Sequence, residues 1–210
     1  MKHLPVIVVI VFVVAACNLT SKLKKDNVNS SSSPSSSSGE PTMIGGDPVE
    51  QPAPTAAQTA ALANGQSVKW DEQGISWTLP PNWKKESVSN EMFNYGSGDG
   101  AFLIVNISAM APDFPTDISL KAFHEGAKVR EKNGQVDELK WLALDGQRGV
   151  EFRESKPQMA DDIRRLQWMT YRKYAGQTQL VNFILSSRGD NFTKHEDALY
   201  GILYSTKLVH

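Results

Sequence analysis

The chain reads as an α+β protein in which an antiparallel sheet carries packed helices. Three observations lead there. The five Trp and five Tyr of the 210 residues all lie from Trp70 onward, and no aromatic residue occurs between Phe12 and Trp70. A packed core needs such large apolar side chains to offset the entropy lost on ordering the chain. The elements of the aromatic-rich part run strands, helix, four strands, helix, a grouping that suits an antiparallel sheet with helices laid on it. Finally, Asp145-Gly146 and Ala175-Gly176 fall between strand patterns, where two-residue hairpin loops place Asx-Gly or a Gly.

Taken in order, Val68-Lys69-Trp70-Asp71 and Ile75-Ser76-Trp77-Thr78-Leu79 predict a hairpin turning at Gly74. Pro80-Pro81 ends it, since proline cannot donate to a ladder. Met92 to Tyr95 predicts a short strand, and Gly96-Ser97-Gly98-Asp99-Gly100 a tight turn. Ala101 to Ala109 is a strand with Leu103, Val105 and Ile107 on one face. A helix follows, capped by Ser119 or Asp117, with Leu120, Phe123 and Ala127 on one face and a stop at Asn133-Gly134. Four strands are expected at Val136–Leu144, Gln147–Glu154, Ile163–Tyr174 and Gln177–Ser186. The final helix opens on a Thr193-x-x-Glu196 capping box, with Ala198, Leu199, Ile202 and Leu203 apolar. The Trp residues fit core positions, with Trp70 at the domain entrance.

The N-terminus has a different character. Met1-Lys2-His3 is followed by an apolar run from Leu4 to Ala16, broken only by Pro5. A run of about thirteen residues is too short for a bilayer core, which needs about twenty, but has the length of a signal-peptide apolar region. Val14-Ala15-Ala16-Cys17 resembles the lipobox of bacterial lipoprotein precursors. The resemblance implies cleavage between Ala16 and Cys17, a diacylglyceryl thioether on Cys17, and acylation, such as by palmitate, of the new amino terminus. Cys17 is the only cysteine, so no intramolecular disulfide competes for it. Asn18 after the lipidated position leans toward the outer membrane in a Gram-negative host. Residues 17–65 then read as the acylated N-terminus and a disordered linker: Ser30 to Ser38 is serine apart from Pro34, and the remainder is rich in Pro, Ala, Thr and Gln. The expected organisation is a signal peptide over 1–16, the linker over 17–65 and a folded domain over 66–210.

Two stretches carry a fold-level resemblance. Ile75-Ser76-Trp77-Thr78-Leu79-Pro80-Pro81-Asn82-Trp83 and Leu144-Asp145-Gly146-Gln147-Arg148-Gly149, closed by a helix from Phe192 through Leu203, resemble the PsbP/Mog-type α/β/α sandwich. The resemblance implies an antiparallel sheet between helices and a lean toward protein binding, and it brings no catalytic residue set.

No catalytic or metal constellation stands out in the residues. His195-Glu196-Asp197 are consecutive on a helix and about 100° apart, so they diverge rather than converge on one ion. His124-Glu125 offers a single titratable side chain on the first helix. Asp161-Asp162 sits in a polar loop lacking the ligand spacing of a calcium cage. The Gly96–Gly100 run leads into a strand, whereas a phosphate loop leads into a helix. Lys22, Lys24 and Lys25 lie just after the anchor, within reach of anionic headgroups. Residues 66–210 are close to neutral, without the basic face that nucleic acid requires. The expectation is a non-enzymatic envelope lipoprotein, without cofactor, held to the membrane through lipid on Cys17 and binding another envelope protein. The alternative is a small-ligand or metal-binding module.

Overall fold

A computed structural model describes residues 43–44 and 47–209. The expected signal segment, the Ala16–Cys17 cleavage and lipidation position, and the serine-rich run lie outside these residues.

The described chain begins with β1 (Met43–Ile44) and β2 (Asp47–Glu50), then helix α1 (Ala56–Ala61). A first hairpin, β3 (Gln66–Trp70) and β4 (Ile75–Leu79), turns at Gly74, whose φ of 56° suits glycine. Next come β5 (Lys84–Val88), β6 (Met92–Gly96) and β7 (Ala101–Met110), then α2 (Thr116–Lys132). Four long strands follow: β8 (Val136–Leu144), β9 (Gln147–Glu154), β10 (Ile163–Tyr174) and β11 (Gln177–Arg188). The chain closes with α3 (Phe192–Tyr204) and β12 (Lys207–Leu208).

The large sheet has nine strands in the order β1-β2-β8-β9-β10-β11-β7-β6-β5, and a small sheet has the order β12-β4-β3. All pairings in them are antiparallel except that of β2 with β8. Both faces of the large sheet are covered, because successive side chains alternate between them. On one face Leu103, Val105, Leu166, Trp168, Phe183 and their neighbours pack against α3 and the small sheet. On the other, Trp141, Ala143, Val150, Phe152 and Tyr171 pack against Leu120 and Ala127 of α2. The architecture is an α/β/α sandwich, with the small sheet sharing a layer with α3.

Trp168 organises the first face. It is wholly buried, its indole nitrogen donates to the Leu142 carbonyl at 3.1 Å, and its ring meets Phe183 edge-on at 5.3 Å. Gly149 of β9 lies beneath it: a Cβ there would fall 2.4 Å from the Trp168 ring. Trp70 is equally enclosed and donates to the Ser89 carbonyl at 3.0 Å, so it belongs to the core rather than to the surface.

Several sequence expectations change. The folded unit begins before Gln66: the end of the expected linker forms β2 and α1. β2 pairs with β8, and α1 is closed by a capping box in which Gln58 N donates to Thr55 Oγ1 and Thr55 N to Gln58 Oε1. α2 starts at Thr116, ahead of both expected caps, and it turns His124 inward while Phe123 is 37% exposed. α3 starts at Phe192, ahead of the expected cap Thr193, and its N-cap Asn191 makes no side-chain cap bond, while Glu196 is drawn to Arg153. β5 and β12 are additions to the expected set. The four central strands and both hairpin turns fall where the pattern places them.

Both hairpins take positive φ at their two loop residues: 48° and 83° at Asp145-Gly146, and 49° and 78° at Ala175-Gly176. A Cβ in this region costs alanine about 1 kcal/mol, and Ala175 is exposed, so nothing packs on its methyl group. Ala175→Asn or Ala175→Gly is expected to raise stability by about 0.5–1 kcal/mol in chemical denaturation; a loss would contradict the turn assignment. Gly149→Ala is expected to cost about 1–3 kcal/mol through overpacking against Trp168, and an unchanged denaturation midpoint would contradict that contact.

Candidate functional site

The α3 face of β8 and β9 carries charge at positions whose neighbours along each strand are apolar. Lys140 and Glu151 are register partners across these two strands. Lys140 Nζ lies 3.0 Å from Glu151 Oε1, donates to Glu138 Oε1 at 2.8 Å and to the Tyr204 hydroxyl at 3.2 Å, and reaches Glu50 of β2 at 4.0 Å. Three carboxylates thus surround one ammonium. Tyr200 and Tyr204 of α3 cover it, their rings 5.9 and 5.8 Å from Nζ.

Burial decides the protonation of this cluster. Glu151 is 0% exposed, and desolvation pushes its carboxyl up to about 7 against the pull of Lys140. Burial also opposes the charge on Lys140, but Glu151 and Glu138 outweigh it and hold the ammonium protonated well above its ordinary range. For Glu138, burial is likewise outweighed, here by hydrogen bonds from Lys140 and Tyr200, and its carboxyl is lowered. Burial raises the Tyr204 phenol to about 12 and raises that of Tyr200, which donates to Glu138 Oε2 at 2.6 Å.

Arg153, two residues along β9 from Glu151, extends the network outward. It donates to Asp137 Oδ1 at 2.7 Å and to Glu196 of α3, and lies 3.3 Å from Glu138 Oε2. Here the network opens into a groove of about 490 Å³ lined by Glu138, Arg153, Glu196, Asp197, Tyr200 and, from the α1 side, Gln58. On the other flank of α1 lies a second groove of about 830 Å³. It is lined by Ala56, Ala60, Leu62 and Ala63 from the α1 segment, with Gly201 and Tyr204 of α3 opposite. Gln58 and Tyr204 line both, so α1 spans one trough and divides it in two.

The residues singled out in the sequence do not assemble into a site. His195 is buried with its Nε2 3.7 Å from Asp99 Oδ2, Glu196 turns to Arg153, and Asp197 is exposed. Asp99 is itself held at about 2, chiefly by the Lys194 hydrogen bond and then by Ser97. His124 stacks on Trp141 at 4.4 Å, a packing role under α2. Asp161 and Asp162 are exposed in their loop. Among the described residues, no group of three or more His, Cys, Asp and Glu side chains gathers as a metal site. Sequence reading passed over Lys140, Glu151 and Arg153; the signal for Lys140 and Glu151 is charge on strand positions flanked by Leu and Trp and by Val and Phe.

The fold and this groove define the chain as an α/β/α sandwich with an ion-paired trough under its last helix. Neither a protein-family model nor a curated protein matches the chain. Among solved structures it is similar to the cyanobacterial PsbP protein CyanoP of Synechocystis sp. PCC 6803, at 16% identity and a TM-score of 0.44, over 69% of this chain and 92% of that one. It is similar to LpqN of Mycobacterium tuberculosis, a protein involved in cell envelope biogenesis, at 14% identity and a TM-score of 0.45, over 70% and 86%. The Saccharomyces cerevisiae Ran-binding protein Mog1p matches at 12% identity and a TM-score of 0.37, over 70% and 96%.

The raised carboxyl of Glu151 gives stability a signed pH dependence. A proton bound more tightly in the fold than in the unfolded chain contributes stability below about 4.5 that is lost as pH rises to about 7. Glu151→Gln keeps the neutral shape at every pH. The stability of Glu151→Gln relative to wild type is therefore expected to rise across that interval, measured by denaturant titration at its two ends. A difference independent of pH would contradict the assignment.

Proposed function

We propose that this protein is an exported lipoprotein, anchored through lipid on Cys17, whose domain is a non-catalytic module that binds another protein of the cell envelope. The observation that carries the binding half is the trough beside α1. It pairs an apolar groove with a charged one across a single exposed segment, the mixed character of protein-binding surfaces. The ionisable groups with displaced pKa values near it are engaged with one another: Glu138 with Lys140 and Tyr200, Glu151 with Lys140, Arg153 with Asp137 and Glu196. Such pairing serves structure, since a general acid or base needs a reacting group within reach.

The anchoring half rests on the Val14-Ala15-Ala16-Cys17 run and the single cysteine. Two or three acyl chains, at about 0.8 kcal/mol per buried methylene, hold a protein stably on a membrane. The composition of the chain before β1 fits a tether that lets the domain reach a partner above the bilayer. In a Gram-negative host Asn18 directs the anchor to the outer membrane.

Two measurements test this. Intact-mass analysis of membrane-extracted protein is expected to show acyl mass on Cys17 and loss of residues 1–16, and a full-length unmodified chain would refute the anchor. A photo-reactive residue at Ala60 is expected to capture a discrete envelope protein in cells, with the same residue at exposed Lys173 as control. Equal capture from both positions would refute the trough as the binding surface. A rise in melting temperature with a metal or metabolite would turn the reading toward a small-ligand module.

A further inference from the structure

α1 is an unusual element for a folded domain. Its six residues include none that is buried, and a helix that short has little stability of its own. Yet α3 is shaped to receive it. Gly201 stands inside α3, where glycine costs about 1 kcal/mol relative to alanine, and only α1 accounts for it: a Cβ on Gly201 would lie 2.8 Å from the Gln58 carbonyl oxygen and 3.1 Å from Leu62 Cγ. The backbone of α1 therefore crosses α3 at a distance that only glycine permits. α3 thus holds a seat on which the Gln58 carbonyl and the half-buried Leu62 side chain at the end of α1 come down, while the six helical residues themselves bury little.

The charge around the seat is one-sided. The groove beside Ala53 and Thr55, at the entry to α1, is lined by Glu138, Glu196 and Asp197; Lys140 and Arg153 engage Glu138, and Arg153 engages Glu196, which leaves exposed Asp197 as the carboxylate open to an incoming cation. The residues of this chain that run into the seat, Gln51-Pro52-Ala53-Pro54-Thr55, bring no cation to meet that excess.

We infer that α1 is a displaceable internal ligand, and that its seat on α3 accepts from a partner a short helix with Leu at its end, in the place of Leu62, and Lys or Arg just before its first turn. The leucine is required by the Leu62 contacts with Gly201 and the core, and the preceding cation by Asp197 in the acidic groove. This is a helix-in-groove mode of recognition, in which α1 lowers apparent affinity by occupying the seat first. The inference rests on the protein-binding reading and names the chemistry of that partner.

The test uses the full chain and two labelled synthetic peptides copying residues 53–65, one with Ala53→Lys and one with Ala53→Glu, followed by fluorescence anisotropy. The position precedes the helix, so both peptides have the same helical propensity. Ala60→Pro in the full chain unseats α1 from an exposed position outside the core; near-ultraviolet circular dichroism of the buried Trp residues verifies the fold. The Ala60→Pro chain is expected to bind the Lys peptide about tenfold more tightly than wild type and more tightly than it binds the Glu peptide. Adding Gly201→Ala, which favours α3 as a helix, is expected to abolish the gain. Equal binding by wild type and Ala60→Pro, indifference to Gly201→Ala, or preference for the Glu peptide would each overturn the inference. Failure of the protein-binding reading is separate: it is absence of an envelope partner in the Ala60 capture while the Lys peptide still binds.

Discussion

The structure depends on Trp168. Its indole fills the space between β9, β10 and α3, donates across to β8 through the Leu142 carbonyl, and meets Phe183 of β11 edge-on. Four strands are thereby tied at one point. An indole nitrogen buried without a partner costs free energy, so the bond to Leu142 holds the ring in one orientation. Gly149 leaves room for that orientation, and the same motif carries Asp145-Gly146, whose positive φ values close the β8–β9 hairpin. A loop requirement and a packing requirement are thus met within six residues.

The charged cluster follows from the same register. Once β8 and β9 pair around that hairpin, Lys140 must oppose Glu151 on the face that α3 covers. A buried charge is tolerated when its partners are close, and three carboxylates and a phenol surround the ammonium. Burial opposes the charge on Glu151 more than Lys140 favours it, and the neighbouring Glu138 and Glu50 add to the same direction, so Glu151 is the carboxyl pushed up. The tyrosines that lid the cluster come from α3, as does Glu196, which holds Arg153. The position of α3 and the ion network therefore depend on each other, and the trough beside α1 is their outer edge.

The long strands were legible in the sequence because their apolar side chains alternate and their turn dipeptides need positive φ. β5 escaped because Lys84-Lys85-Glu86-Ser87-Val88 lies at the sheet edge and buries little. Edge strands are commonly charged in this way. β12 is two residues held by backbone pairing to β4. The Thr193-x-x-Glu196 pattern misled because the helix starts ahead of Thr193 and Glu196 pairs with Arg153. α1 had the reverse difficulty: Thr55-x-x-Gln58 does form its box, but the reason for the helix to stay is Gly201, far along the chain. Local pattern shows a helix start; it does not show its seat. The Lys140–Glu151 pair was hidden for a similar reason, since only the register makes the two residues neighbours.

If the face formed by α1 and α3 is a binding surface, its first occupant must be loosely held. Native-state hydrogen exchange on the full chain, read by mass spectrometry, measures that hold. Amides of residues 56–62 are expected to exchange by local opening, well ahead of β10, β11 and α3, and Gly201→Ala is expected to speed exchange in that segment alone. Protection of residues 56–62 equal to that of α3, unchanged by Gly201→Ala, would show instead that α1 is a fixed part of the core.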